Sequence, residues 1–173
     1  IFERQLDFIQ EAGIPTAMVG MLTALPNTQL YRRLKAENRL TETSSGNNTH
    51  RLNLNFLPKM PVEKIIAGYR NLLKKIFSPK LYFKRCMTLL EEKPLETRFS
   101  TKLSKIEIKA FFTSFFRQTF SRYGIRYLLF ILRAFFHKRV HFAEAVAMAV
   151  KGHHLFTITR QILKANRTKT LPA

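Results

Sequence analysis

The chain has 173 residues and a formal net charge of +19 at pH 7, with 30 lysines and arginines against 11 aspartates and glutamates. Its six glycines and seven prolines are too few for a disordered chain or a loop-rich β fold. The single cysteine, Cys86, excludes a disulfide framework and a multi-cysteine metal site in this chain and favours a reducing, cytoplasmic location. We interpret it as an inert helical cysteine rather than a reactive thiol.

The first forty residues predict one helix–strand–helix unit. Ile1–Glu11 has the pattern of a helix, and Ile14–Leu22 is a nearly unbroken apolar run, typical of a strand buried on both faces of a parallel sheet. Pro-Asn-Thr at 26–28 predicts a turn whose threonine caps a helix over Gln29–Asn38. Because a parallel strand needs neighbours and this sequence offers none, we interpret the chain as a C-terminal fragment.

A polar connection is expected over residues 41–61. Its centre, SSGNNTH, includes Ser45, Asn47 and Asn48, whose small polar side chains suit hydrogen bonds to a ligand and equally suit a solvated turn. Apolar residues then alternate with asparagine over Leu52–Leu57, which predicts a short, half-exposed strand.

The remaining residues, 62–173, have helical periodicity and predict an all-helical domain. The expected helices are Val62–Phe77, Leu81–Glu91, one from Ser104 to near Gly124, one over Ile125–Phe136, Phe142–Lys151 and Leu155–Ala165. Gly152 is expected to separate the last two helices, and the tail 166–173 is expected to fray.

Two phenylalanine-rich helices are expected to bury wide apolar faces. The members recur at helical spacing and are Ile108, Phe111, Phe112, Phe115 and Phe116 in the first, and Ile125, Leu128, Leu129, Leu132, Phe135 and Phe136 in the second. Burying the six side chains of the second helix would contribute on the order of 10 kcal/mol before conformational entropy is counted.

A basic face accompanies these two helices and continues beyond them. It comprises Arg117, Arg122, Arg126, Arg133, Lys138 and Arg139, and after Phe99 the only acidic residues are Glu107 and Glu144. Phenylalanine beside arginine suits an anionic surface at the inner face of the membrane, or a lipid-like substrate. A basic groove with stacked aromatics would suit RNA, but the phenylalanines have the spacing of a buried face, which argues against nucleic acid. A solvated helical surface is the remaining alternative.

The histidines give weak signals for metal binding. His137 and His141 stand four residues apart, a spacing that can place two ligands on one helical face. No cysteine or pair of carboxylates accompanies them, so we predict no metal site. His153 and His154 follow a glycine and are expected to end a helix.

Several stretches together resemble a known family. The runs GIPTAMVGMLTALPNTQLYRRLKAENRL, SSGNNTHRLNLNFLPKM and GYRNLLKKIFSPKLYFKR resemble the C-terminal part of radical SAM proteins that carry a cobalamin-binding domain. The run YGIRYLLFILRAFFHKRVHFAEAVAMAVKGHH is similar to the uncharacterised DUF4070-type helical domain that closes one branch of that family. Asn27 departs from the more usual glycine, but asparagine reaches the same backbone region.

The resemblance implies a mostly α fold. Residues 1–40 would be a helix–strand–helix remnant of a partial (β/α)6 radical SAM barrel, with Thr16–Leu22 as its last strand, and residues 62–173 an α-helical accessory domain. Chemistry in such barrels sits at the C-terminal ends of the strands. The residues placed there, and implied to line the S-adenosylmethionine pocket, are Met21, Leu22, Thr23 and Ala24.

The resemblance also implies cofactors and partners. The parent enzyme would use a [4Fe–4S] cluster and S-adenosylmethionine, with cobalamin as a further cofactor of cobalamin-dependent members. This chain lacks the family's CxxxCxxC motif, so we expect it to bind no cofactor and to catalyse nothing alone. Its partner would be the N-terminal part of the same polypeptide, and its basic domain would shape substrate access or dock the enzyme. The rival hypothesis is a non-enzymatic basic module that binds an anionic membrane or nucleic acid.

Overall fold

The structure is a computed structural model that describes residues 1–42, 54–94, 105–138 and 141–168. Seven helices occur within these residues: α1 (Phe2–Glu11), α2 (Gln29–Ala36), α3 (Val62–Ile76), α4 (Pro79–Glu92), α5 (Lys105–Thr119), α6 (Gly124–His137) and α7 (Phe142–Thr168). The described residues contain no strand, and the mostly α fold is confirmed. No helix in this part of the chain has the length and apolar character needed to cross a membrane.

Two helix starts follow from their capping residues. As predicted, Thr28 caps α2, and its Oγ1 accepts a hydrogen bond from the Tyr31 backbone N–H at 3.2 Å. Asn27 before it has a φ of 66°, which asparagine tolerates. Ser78 caps α4 in the same way, and Pro79 follows in the first turn, where its missing N–H costs nothing.

Residues 14–25, called the apolar segment here, do not form the predicted strand. Exposure alternates along them as it would in a strand: Ala17 and Val19 pack against α1 and α3, whereas Met18 and Leu22 are 85% and 61% exposed. Within the described chain, residues 16–23 make no backbone–backbone hydrogen bond. The strand is absent because a strand needs a hydrogen-bonding neighbour, and the described residues supply none.

The connection after α2 also forms less sheet than predicted. Residues 54–57 of the expected strand Leu52–Leu57 are described, and they contribute one antiparallel bridge, between Phe56 and Leu40. Backbone hydrogen bonds of 2.8 and 3.0 Å flank this bridge. The proposed ligand loop, with Ser45, Asn47 and Asn48, lies outside the described residues.

The main core lies between α4, α6 and α7. Phe83 of α4 stacks on Phe130 of α6 with ring centroids 5.0 Å apart, and Tyr82 meets Phe156 of α7 edge-on at 5.2 Å. Its buried members are Tyr82, Phe83, Cys86, Met87, Leu90, Tyr127, Phe130, Ile131, Ala134, Ala145, Met148, Ala149 and Phe156. α1 packs against α3 and α4, and α4 also packs against α6 and α7. α4 therefore lies between the main core and the helices that contact the apolar segment.

One continuous helix, α7, replaces the two that were predicted on either side of Gly152. A Cβ at Gly152 would stand 2.5 Å from a ring carbon of Tyr82. Close packing therefore explains this glycine, and the predicted helix break is wrong. α7 also continues to Thr168, and residues 169–173 lie outside the described part, so the fraying of the tail 166–173 stays a prediction.

The buried face predicted for α6 is largely wrong. Ile125, Leu129, Leu132 and Phe136 are 78%, 62%, 51% and 70% exposed, and Phe135 is also exposed, whereas Leu128 packs on the core as expected. The buried side chains are instead Tyr127, Phe130, Ile131 and Ala134. α6 is apolar on both sides, so spacing alone does not choose the buried one. The ring contacts of Phe130 and Tyr127 with Phe83 stabilise the observed choice.

The aromatic face predicted for α5 is buried only in part. Phe115 packs against the core, but Phe112 and Phe116 are exposed. Ile108 and Phe111 lie among the side chains outside the described part of the structure. The predicted end of this helix near Gly124 is also corrected, because α5 ends at Thr119 and Gly124 begins α6.

Candidate functional site

Arg85 of α4 forms hydrogen bonds to both the apolar segment and α3. The residue is fully buried; its Nε donates to the Ile14 carbonyl at 2.9 Å and its Nη2 to the Ile76 carbonyl at 2.7 Å. Nη1 donates to the side-chain oxygen of Gln10 in α1. Burial lowers the pKa of the guanidinium. Sequence reasoning missed this role, although helical spacing from Tyr82 places Arg85 beside an apolar face.

Asn55 and Tyr69 hold the backbone of the apolar segment from the other side. The Asn55 side chain accepts from the Ala24 N–H at 2.9 Å and donates to the Ala24 carbonyl at 2.8 Å. The Tyr69 hydroxyl donates to the Val19 carbonyl at 2.9 Å. The segment is thus held by side chains from three elements while its own backbone forms no ladder. An asparagine among strand-like residues gave no signal for this contact.

The four residues implied to line the S-adenosylmethionine pocket do not share one surface of this chain. Ala24 is fully buried against Leu34 and Phe56. Met21 and Thr23 are half-buried, and Leu22 is exposed on the opposite side. Their role in cofactor binding stays a prediction, and Ala24 has the environment of an ordinary core residue.

The predicted basic face is exposed where the structure describes it. Arg117, Arg122 and Arg126 are exposed, as is Arg133, whose Nη2 donates to Glu91 at 2.9 Å. The half-buried Lys138 donates to the Glu91 carbonyl at 3.3 Å. Arg139 lies outside the described residues. The ion pair between Arg133 and Glu91 is exposed and therefore contributes little stability, so Arg133 can also meet an anion.

A groove of about 420 Å³ runs between α4 and α6. Its apolar lining is Phe83, Met87, Leu129 and Phe130, and its charged lining is Lys80, Lys84, Arg126 and Arg133 with one carboxylate, Glu91. An apolar floor under four cations suits an amphiphilic anion. Sequence reasoning found the two arginines and missed the two lysines, because the lysines belong to a different helix.

A second cleft, of about 700 Å³, lies between α3 and α7. Its cations are Arg70, Lys74, Arg160 and Lys164, its neutral polar lining is Asn71, Ser78 and Thr159, and its apolar lining includes Phe77, Phe156 and Leu163. No carboxylate among the described residues lines this cleft, so its field also favours an anion. The sequence analysis did not single out these residues, because they come from helices that are distant in the chain.

The histidines form no metal site in the described residues. His137 is the last residue of α6 and exposed, whereas His141 is buried just before α7, so the four-residue spacing does not fall within one helix. No group of three potential metal ligands occurs in the part of the chain that the structure describes. His153 and His154 lie inside α7, so the predicted role in ending a helix is wrong. His153 Nδ1 instead contacts the Tyr123 hydroxyl.

Cys86 is fully buried in the main core. Burial raises the pKa of its thiol to about 12, which outweighs the opposite effect of the neighbouring Arg85. A thiol in this environment is a poor nucleophile and a poor metal ligand, in agreement with the interpretation of Cys86 as inert.

The chain is similar in sequence to two proteins that are described as a methyltransferase and a methylase. The chain is 34% identical over 123 residues to an uncharacterized methyltransferase of Synechocystis sp., covering 69% of this chain and 23% of the relative. It is 29% identical over 80 residues to a hopanoid C-2 methylase of Rhodopseudomonas palustris, covering 46% of this chain and 14% of that protein. The chain thus spans less than a quarter of either relative. No solved structure matches it.

A family model supplies the assignment. The model for DUF4070, a domain of unknown function, matches residues 28–168, which span α2 to α7. The sequence-based resemblance to a DUF4070-type domain is confirmed by this match. The chain therefore belongs to the DUF4070 family.

Proposed function

We propose that this chain is the C-terminal part of a radical SAM methyltransferase and that its apolar segment packs against the catalytic part. The observation that carries the proposal is the alignment to two relatives described as a methyltransferase and a methylase, each several times longer than the aligned region. The resemblance of the first forty residues to the end of a radical SAM barrel adds the class of enzyme.

The geometry of the apolar segment supports this arrangement. Its residues alternate between a packed and an exposed side, and among the described residues the backbone of 16–23 makes no backbone–backbone hydrogen bond, although the Val19 carbonyl accepts from Tyr69. A strand of the catalytic part would pair with the free backbone groups, and a second layer of the catalytic part, packed on the exposed side, would cover Met18 and Leu22. Gly20 adds to the fit, because a neighbouring strand can approach closely where no side chain intervenes and no described atom lies within 4 Å of its Cβ position.

The residues of this chain do not fit an iron–sulfur cluster. Several cysteine thiolates hold a [4Fe–4S] cluster, and this chain has one cysteine, which is buried and favours the thiol. We therefore place the cluster, S-adenosylmethionine and, in a cobalamin-dependent enzyme, cobalamin on the remainder of the polypeptide. The role we assign to this chain is to complete and shield the catalytic part.

The first test is the coding sequence that precedes Ile1. A CxxxCxxC motif upstream in the same reading frame is the expected result, and the encoded polypeptide should then bind a cluster anaerobically, cleave S-adenosylmethionine and transfer a methyl group. A start codon immediately before Ile1 would overturn the proposal. The basic, non-enzymatic module would then take its place.

A pair of variants tests the proposed contact. Met18→Asp with Leu22→Asp should leave the stability of the 173-residue chain within about 0.5 kcal/mol of wild type, because both side chains are exposed. The same double change should lower the melting temperature and the cluster content of the longer polypeptide. Leu129→Asp with Phe136→Asp, at sites on α6 that are 62% and 70% exposed, is the matched control and should be neutral in both. If the double change had equally small effects on the stability of the 173-residue chain and of the longer polypeptide, the proposed contact would be refuted.

A further inference from the structure

α6 carries an apolar stripe on its outer side. The stripe consists of Ile125, Leu129, Leu132 and Phe136, all more than half exposed. Their spacing of four, three and four residues puts them on one line along the helix, opposite the side that is buried against α4 and α7. A helix that is apolar on two opposite sides is normally covered on both, so the exposed side requires an occupant.

The stripe is bordered by cations. Arg126 and Arg133 follow two of its members by one residue and lie along one flank, where they also line the groove between α4 and α6. Lys80 and Lys84 line the same groove from α4. Glu91, the carboxylate among the described lining residues of the groove, is paired with Arg133, and α6 itself contains no acidic residue. The charges around the stripe therefore favour an occupant that is anionic as well as apolar.

Further exposed aromatic side chains stand close in the chain. Phe116 and Phe120, at the end of α5 and in the turn after it, are 60% and 85% exposed, and α5 packs against α6. Arg117 and Arg122, which neighbour them in sequence, are exposed too. Large apolar side chains interleaved with arginine are typical of helices that lie in the interface of an anionic bilayer.

We propose that the outer stripe of α6 docks this protein onto an anionic lipid bilayer. The apolar side chains enter the boundary of the acyl chains, and the flanking arginines and groove lysines bind headgroup phosphates. Nucleic acid would satisfy the cations but offers no apolar phase for isoleucine and leucine. A second copy of the chain would add another +19 and repel the first.

The remainder of a longer polypeptide is a weaker candidate for this surface. The apolar segment, which we assign to that contact, packs on α1 and α3, whereas α6 packs on α4, α5 and α7. The two surfaces thus belong to different parts of the molecule. The membrane proposal accordingly stands on the stripe and its cations and does not rest on the proposed enzymatic function.

Cosedimentation with vesicles tests the proposal. The 173-residue chain should bind vesicles made of equal parts of phosphatidylglycerol and phosphatidylcholine, bind pure phosphatidylcholine far more weakly, and lose binding as salt is added. Leu129→Asp with Phe136→Asp should weaken binding on the order of 100-fold, because two inserting side chains are replaced by anions. Arg122→Gln with Arg126→Gln should weaken binding about fivefold per arginine.

Matched controls make the outcome decisive. Met18→Asp with Leu22→Asp introduces the same charges at exposed apolar sites of the apolar segment and should bind vesicles like wild type. Circular dichroism melts should show that all variants fold. A stripe variant that binds as well as wild type would overturn the proposal, as would tight binding of a random RNA oligonucleotide that only the arginine variant weakens. Vesicle binding that is lost in the longer polypeptide would also overturn it and assign the stripe to an internal contact.

Discussion

Replacing Arg85 by methionine should destabilise this chain more than a change at any exposed basic residue of α4. The guanidinium is fully buried, and it donates to the backbone carbonyls of Ile14 and Ile76 and to the side chain of Gln10. Methionine keeps most of the volume and removes every donor. The change therefore isolates the hydrogen bonds from the packing.

The magnitude follows from the acceptors that are left behind. A buried carbonyl without a donor costs about 1–3 kcal/mol, so the two carbonyls together cost about 2–6 kcal/mol. Part of this is offset because the folded state no longer buries a charge. A net loss of about 3 kcal/mol corresponds to a fall in melting temperature of about 6–12 °C for a chain of this size.

Urea denaturation of the wild type and of Arg85→Met, followed by circular dichroism, measures this loss directly. Lys84→Met is the matched control, because Lys84 is the exposed neighbour on the same helix, and its change should stay within about 0.5 kcal/mol. An Arg85→Met variant as stable as the control would show that water satisfies the two carbonyls. The anchoring role of Arg85 would then be wrong.

Three further predictions concern single residues. Cys86 should not react with a thiol reagent at pH 8 until denaturant is added, because burial raises its pKa to about 12. The stability of the chain should fall as the pH drops below about 6.5, because burial and neighbouring cations lower the pKa of His153, and His153→Gln should flatten this dependence. Gly152→Ala should destabilise the chain by about 1–3 kcal/mol, since the new Cβ would stand 2.5 Å from the Tyr82 ring.

The controls follow from the same contacts. Reaction of native Cys86 at the rate of a free thiol would contradict its burial. The pKa of His153 is higher in the unfolded chain than in the folded chain, so the unfolded chain binds the proton first as the pH falls. The loss of stability should therefore occur between the unfolded-state pKa and the folded-state pKa of His153. His137→Gln, at an exposed site, should leave this pH dependence in place. Gly20→Ala, at a position with no described atom within 4 Å, should not destabilise the chain, and equal effects at both glycines would contradict the packing argument.

The helices α2 and α3 were predictable because local signals determine their bounds. Thr28 marks the start of α2, and the long amphipathic pattern of Val62–Phe77 gave α3 to within a residue. The start of α4 was predicted at Leu81, two residues after the observed start at Pro79. The strand was mispredicted for the opposite reason. An apolar run such as Ile14–Leu22 carries the preference for an extended backbone, but hydrogen bonding to a neighbour decides whether it becomes a strand.

The anchors of the apolar segment could not be predicted from periodicity. Arg85 and Asn55 act through hydrogen bonds to backbone groups 71 and 31 residues away, and such pairings leave no repeating pattern in the sequence. Gly152 was misread because glycine has two common uses in a helical region. One is to end a helix, and the other is to admit a neighbouring ring, here that of Tyr82.

The two apolar sides of α6 explain both its wrongly predicted buried face and its proposed contact with a membrane. When the apolar residues of a helix cover only one side, their spacing in the sequence predicts which side is buried. α6 has two apolar sides, and the ring of Phe83 selects the one that carries Phe130, leaving Ile125, Leu129 and Phe136 exposed. Among the described residues, no packing contact requires large apolar side chains there, since polar side chains would suit an exposed helix face equally well. Their presence beside arginines is thus best explained by a second apolar environment, which the vesicle experiment identifies or rejects.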